Sequence, residues 1–369
     1  MSSRLKKLQQ VLRGKKFDGL IITNPVNIFY LSGFRGVSPQ EREAILIVTQ
    51  KTAVLITARL YQQEARKLVS RDLKIKIAAE RNEINQFIKD AISKVGMPTE
   101  TKVLVGFEEH DLKFSEFKQF TKLLKGKKLV PVKHLIEDLR IVKTADEIKN
   151  IERAQIISQK GFEKVIKTIR VGQTEAEIAE RLEKIIKSLG GQGLAFESII
   201  ASGPNSALPH HITSDRRLTK NDVLLFDFGA KFQDYCADLS RTIFVGRANN
   251  HHAKIYHHVA QAQATAIAKI KHGARAPLAH KAVSAHFKKH NLDDYFLHSL
   301  GHGIGLQVHE KPSLSAKSKD TLKEGMVFSV EPGLYFPAWG GVRIEDLIVI
   351  KNGKAKLLGQ SAQFLEIKA

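Results

Sequence analysis

Six side chains in the last two-thirds of this chain, His210, Asp227, Asp238, His302, Glu331 and Glu345, follow one another in an order that can build one hydrolytic site holding two metal ions. The carboxylates come in two pairs. Asp227 ends the apolar run Val223-Leu-Leu-Phe, and Asp238 follows a short loop through Lys231 and Gln233. Glu331 ends the run Met326-Val-Phe-Ser-Val, and Glu345 follows a longer loop in Val342-Arg-Ile-Glu-Asp. Apolar β-branched runs bounded by Gly and Pro read as buried strands, so each pair sits on an expected β-hairpin. An acid at the core end of such a run is costly unless it is paired or ligates a metal. Carboxylate oxygens with one imidazole suit two Mn²⁺-like ions, about 3.5–4 Å apart, that share a water and hold it as hydroxide near neutral pH. Glycines on both sides of His302 let the backbone approach closely and leave the imidazole free to project.

The competing reading is a structural ion-pair network, because Arg241 and Arg343 lie close in sequence to two of these acids. It accounts for one acid alone and not for four acids with His302. Arg343 suits a clamp on a ligand better than a ligand, since it cannot lose its charge. The glycines at 301–305 do not make a dinucleotide fingerprint, which needs a third glycine where this chain has none. His251, His252, His257 and His258 show no pair at the i, i+4 spacing of helical metal ligands and no accompanying acid, so they read as a surface helix. Cys236 reads as a small buried residue on a strand.

These residues need elements to position them. Thr144 with Glu147 and Thr174 with Glu177 are capping boxes that should open two helices, the second ended by Gly190-Gly191. A strand (Phe196–Ala201) and the first hairpin follow. Then come a helix from about Ala253 to Lys271, a further short helix and the second hairpin. The order helix, helix, strand, hairpin thus occurs twice, once per carboxylate pair, and facing copies would bring the four acids together. Residues 1–138 read as a separate α/β domain with a mixed or parallel sheet, and 139–369 as the catalytic domain. The elements of residues 1–138 are a basic amphipathic helix, strands at Leu20–Thr23, Ala44–Thr49, Thr52–Thr57 and Lys102–Phe107, and helices at Leu60–Leu68 and Glu83–Val95. Asn24-Pro25 and Asn27 read as turn residues.

Composition bounds the function. At 369 residues and 43% hydrophobic content the chain suits two ordinary globular domains. A single cysteine excludes an internal disulfide and a thiolate metal cluster, leaving oxygen and imidazole as ligands. The first residues carry charge throughout and no apolar run reaches membrane-span length, so a cytoplasmic protein is expected. The net charge of +21 is spread along the chain and lacks interleaved aromatics, so it reads as solvated surface, not as a nucleic-acid site.

The stretches Asp227-Phe-Gly-Ala, Tyr235-Cys-Ala-Asp-Leu-Ser-Arg-Thr, Gly301-His-Gly-Ile-Gly-Leu-Gln-Val-His-Glu, Glu331-Pro-Gly-Leu-Tyr and Val342-Arg-Ile-Glu-Asp resemble the pita-bread metallopeptidases related to Xaa-Pro aminopeptidase and Xaa-Pro dipeptidase (prolidase). Asn27-Ile-Phe-Tyr-Leu-Ser-Gly-Phe is similar to their creatinase-like N-terminal domain. The resemblance covers nearly the whole chain. It implies an α/β N-terminal domain followed by an α+β pita-bread catalytic domain with a pseudo-two-fold repeat, working as a homodimer. It further implies that Asp227 chelates one ion, that Asp238 and Glu345 bridge two, and that His302 and Glu331 complete the other. Mn is the first choice of metal, with Co or Zn as alternatives. A bridging hydroxide would attack the carbonyl before proline, and Glu331 would shuttle the proton to the leaving nitrogen. His210 and His309 match the family's substrate histidines, Tyr335 is a weaker candidate for substrate contact, and His211 is incidental. An aminopeptidase acting on Xaa-Pro-Yaa is the first expectation, from the loop Gly33–Glu43 and the stretch Ala58–Ala65, with a dipeptidase as the alternative. A binding protein that keeps the fold is the more remote one, since no ligand is missing.

Overall fold

Alternating apolar strands and amphipathic helices in the first part of the chain produce a six-stranded mixed sheet, in the order 74–78, 53–58, 44–49, 19–22, 104–108, 128–132. The computed structural model describes residues 3–36, 41–69, 73–93 and 103–368, and it separates into two units, residues 1–139 and 140–369. Strand Gly19–Ile22 is buried throughout and pairs antiparallel to Ala44–Thr49 and parallel to Leu104–Glu108, so the sheet is mixed. Helix Ser3–Gly14 buries Leu5, Leu8 and Leu12 and turns Lys6, Lys7 and Arg13 outward. Lys102, residues 94 and 95, and positions 37–40 of the loop 33–43 lie outside the described residues.

Two features of this unit differ from expectation. Asn24-Pro25 opens a helix, Pro25–Ser32, instead of a free turn: the Asn24 side chain accepts from the amides of Val26 and Asn27, and Pro25 fills the first helical position. Asn27 is fully buried in that helix, where its amide donates to Glu108 at 2.6 Å and Glu137 at 2.7 Å. Strands Lys74–Ala78 and Lys128–Val132 were not expected from the sequence; they are the two edges of the sheet.

The second unit is built from a repeated arrangement. Both capping boxes form: Thr144 and Glu147 open helix Ala145–Val165, and Thr174 and Glu177 open helix Glu175–Ser188. These helices share a core with strands Val223–Phe228 and Leu239–Val245, through Phe162, Leu182, Phe226 and Ile243 among others. Helices Asn250–Lys269 and Pro277–Lys289 repeat the pattern over strands Val327–Val330, Gly333–Phe336, Gly340–Arg343 and Asp346–Lys351. Cys236 is buried, as expected.

Candidate metal centre and active site

Each acid pair stands where its hairpin leaves one sheet for a smaller one. In the first hairpin the ladder pairs Asp227 with Ser240 and stops at Leu239, one residue short of Asp238. Beyond it, Ala230–Phe232 and Tyr235–Cys236 form their own short ladder. In the second, strands 327–330 and 346–351 pair from Val327 to Val330, and strands 333–336 and 340–343 resume at Gly333. Glu331 and Glu345 fall in the gap. Their backbone amides are satisfied elsewhere: Glu345 donates to the Ser240 carbonyl at 3.1 Å, tying the two hairpins together, and Glu331 donates to Leu300 at 2.9 Å.

His302 is seated by close backbone packing. A Cβ on Gly301 would collide with the Ser329 carbonyl, and one on Gly303 with the Lys311 carbonyl. The imidazole Nδ1 donates to the Gly303 carbonyl at 3.1 Å, which leaves the Nε2 lone pair facing Glu331 Oε1 at 3.4 Å and Asp238 Oδ2 at 3.6 Å. Ligand atoms of Asp238, His302 and Glu345 all lie within 4.8 Å of one another.

The electrostatics fit a cation. Burial, then the charges of Glu345, Asp227 and Glu331, holds Asp238 well above the usual carboxylate range. Burial, then Glu331 and Asp227, does the same for Glu345. Burial outweighs the opposing Arg343 guanidinium and pushes Glu331 up to about 8. Burial and the neighbouring His309 push His302 down to about 4, so it is a neutral imidazole at pH 7. Among the described residues, Asp238 Oδ1 and Glu345 Oε1 are buried with no hydrogen-bond partner. Buried acceptors rarely go without donors, and a divalent ion is the partner this oxygen and imidazole set suits.

Arg343 takes one acid of the four. Its Nη2 donates to Asp227 Oδ2, its Nε to Ser240 Oγ at 2.9 Å and its Nη1 to the Tyr335 hydroxyl at 2.7 Å. Arg241 instead pairs with Asp346 at 2.7 Å, outside the cluster. Among the described residues, the ion-pair reading therefore covers Asp227 alone of the four acids.

A cavity of about 550 Å³ opens onto these groups, lined by His210, Asp227, Asp238, His302, His309, Glu331 and Glu345 among others. His210 and His309 are exposed on its wall, and the His309 ring lies 4.3 Å from that of His302. Tyr335 is buried behind Arg343 and commits its hydroxyl to Arg343 and to His298 Nε2 at 2.8 Å. It is not among the residues that line the cavity.

Three features escaped the sequence reading. His298 lines the cavity, and its Nδ1 donates to the Ser299 carbonyl at 2.8 Å. His211 is no incidental neighbour: its Nε2 meets Glu175 at 2.8 Å, a fully buried side chain that also accepts from Ser202, Asn205 and Ser214 and so pins the loop bearing His210. Glu310, next to His309, receives Arg140 and, at 3.2 Å, Lys143. Burial favours its neutral form, but these two cations outweigh burial and hold it below the usual range. No local sequence signal marks these anchors, because Tyr335 for His298, Glu175 for His211, and Arg140 and Lys143 for Glu310 are all remote in the chain.

Residues 4–142 match the family model of the creatinase/prolidase N-terminal domain, and residues 149–352 match that of metallopeptidase family M24. The chain is 35% identical over 365 residues to an Xaa-Pro dipeptidase of Pyrococcus furiosus, covering 99% of this chain and 100% of that protein. Among solved structures it resembles an Xaa-Pro dipeptidase from Bacillus anthracis, with TM-score 0.91, 30% identity and 99% of each chain covered. It also resembles an X-Pro aminopeptidase from Thermotoga maritima, with TM-score 0.86, 30% identity and coverage of 97% of this chain and 99% of that one.

Proposed function

The chain belongs to metallopeptidase family M24, with a creatinase-type N-terminal domain before a pita-bread catalytic domain, and on that premise we propose that it is a dinuclear-metal exopeptidase hydrolysing Xaa-Pro peptides, first of all as a dipeptidase. The observation that carries the reading is the pair of buried, donorless oxygens, Asp238 Oδ1 and Glu345 Oε1, beside the neutral imidazole of His302. Asp227, Asp238, His302, Glu331 and Glu345 would hold two divalent ions, Mn²⁺ first and Co²⁺ or Zn²⁺ as alternatives. Bound there, such ions supply Lewis acidity toward a carbonyl oxygen and lower the pKa of water.

The chain's own residues supply the rest. Arg343 fixes Asp227 through a fork that cannot be deprotonated, and Tyr335 and Ser240 fix Arg343. The Ser329 hydroxyl donates to Glu331 Oε1 at 3.0 Å, so a proton on Glu331 rides on Oε2. Its Oε2 is left free of protein donors among the described residues, so it is the atom that would accept a proton and return it to the leaving proline nitrogen. An X–Pro bond has no N–H to grip, so recognition must come from donors aimed at its carbonyl. His210 and His309, exposed on the cavity wall, would supply them. A homodimer in the cytoplasm, with the domain boundary at 138/139, belongs to the same reading.

Full-length similarity to Xaa-Pro dipeptidases favours the dipeptidase over the aminopeptidase first expected from the sequence; the likeness to the Thermotoga X-Pro aminopeptidase keeps that version as the second reading. Hydrolysis of Ala-Pro beside Ala-Pro-Ala separates them. Release of alanine from the dipeptide only supports the dipeptidase, and release from the tripeptide at equal or greater kcat/KM overturns it in favour of the aminopeptidase.

A further inference from the structure

Away from this cavity, helices Asn250–Lys269 and Pro277–Lys289 bring three histidines together. His258 projects from the first helix, His286 from the second, and His290 closes the second as its C-terminal cap. His286 and His290 have the i, i+4 spacing that puts two imidazoles on one helix face. The ring centroids are 5.7 Å apart for His258 and His286, 4.3 Å for His258 and His290, and 5.0 Å for His286 and His290. One ring nitrogen from each lies within 4.8 Å of the other two.

Three imidazoles gathered on a chain of charge +21 need an explanation. Mutual repulsion disfavours the cluster once any two are protonated, and Lys254 and His257 beside His258, with Lys289 beside His286, add to it. Hydrogen bonding does not compensate. Among the described residues, His258 Nδ1 and His286 Nε2 are buried without a partner, while the His258 backbone lies within hydrogen-bonding range of the His286 ring. A buried ring nitrogen without a partner is the atom that a metal ion would take. His290 is exposed, so water can reach a fourth position.

We propose that His258, His286 and His290 form a second metal site, separate from the peptidase centre, that takes a borderline divalent ion such as Zn²⁺, Cu²⁺, Ni²⁺ or Co²⁺ and staples the two helices. The all-imidazole donor set selects against the hard ions suited to the carboxylate centre, because affinity at nitrogen rises from Mn²⁺ toward Cu²⁺ and Zn²⁺. Tetrahedral Zn–N bonds of about 2.0–2.1 Å draw the three nitrogens to roughly 3.4 Å apart, which ring rotations can supply from the observed cluster. None of the three histidines lines the peptidase cavity.

The test compares wild-type protein with His290→Ala, His286→Ala and, as a control on the same surface, His257→Ala. Each is saturated with Mn²⁺ and then titrated with Co²⁺ and, separately, Zn²⁺, with the Co²⁺ visible absorption and the equilibrium-dialysis stoichiometry recorded. Wild type and His257→Ala should bind one tight Zn²⁺ per chain more than the other two variants. They should show a nitrogen-rich Co²⁺ band, and Zn²⁺ should raise their melting temperature. His290→Ala, at an exposed helix end, should stay folded, keep its Mn²⁺-dependent peptidase activity, and bind that ion at least about a hundredfold more weakly. Equal stoichiometry and affinity in wild type and His290→Ala, or a loss in His257→Ala matching that in His290→Ala, would overturn the assignment.

Discussion

Metal loading of the peptidase centre should release protons, in a number that follows from its buried acids. In the metal-free protein Glu331, at about 8, carries about 0.9 of a proton at pH 7, and at pH 9 about 0.1. Asp238 and Glu345, held well above the carboxylate range, add up to one proton each, while His302, at about 4, adds none. Binding Mn²⁺ to stripped protein at pH 7 should therefore release between about one and three protons per chain from these acids, besides any from water that the ions acidify. The number should fall by about 0.8 between pH 7 and pH 9 from Glu331 alone. Asp238 and Glu345, also held above the carboxylate range, can add to that fall. The same shift sets the sign for stability. A carboxyl raised in the folded state favours folding below its unfolded pKa of about 4.3, and that contribution is lost as pH rises toward 8. The stripped protein should thus lose several kcal/mol across that window, and the loaded protein should not. Titration calorimetry in buffers of different ionisation enthalpy counts the protons directly. A count of zero at pH 7 would mean that the acids are already ionised, and the reasoning about a cation-seeking site would fail.

Three substitutions probe the parts that hold the centre. Arg343→Lys keeps a cation but loses the fork that joins Asp227, Ser240 and Tyr335; kcat should fall at least about tenfold with a smaller change in KM, as steady-state kinetics would read. Glu310→Gln leaves Arg140 and Lys143 buried without their carboxylate and should cost about 3–5 kcal/mol in urea unfolding; a change under about 1 kcal/mol would show that the pair is already compensated. His211→Ala removes one of several donors to Glu175 and should cost about 1 kcal/mol while raising KM through the loosened His210 loop, and unaltered KM would detach that loop from substrate binding.

Local physics was legible in the sequence and remote physics was not. The two capping boxes could be read because a Thr and a Glu three residues apart satisfy each other's backbone within one turn. The four acids could be read because charge at the end of an apolar strand is costly wherever the strand lies. Asn24-Pro25 could not be resolved between a turn and a helix start, since both use the same backbone angles. What fixes the buried Asn27 beyond it is Glu108 and Glu137, far along the chain. Strands Lys74–Ala78 and Lys128–Val132 were hidden by their lysines, which suit exposed sheet edges and dilute the apolar signal. His258 was weighed only against histidines of its own helix, whereas its companions lie on the next one.

The measurement closest to the central claim is hydrolysis of Ala-Pro, with Ala-Leu as control, by chelator-stripped protein before and after Mn²⁺ is restored, with Asp238→Ala assayed in parallel. No cleavage is expected without metal, cleavage of Ala-Pro but not Ala-Leu once Mn²⁺ is added, and no recovery in Asp238→Ala. Cleavage of Ala-Pro by the stripped protein, or full recovery by Asp238→Ala, would contradict that claim.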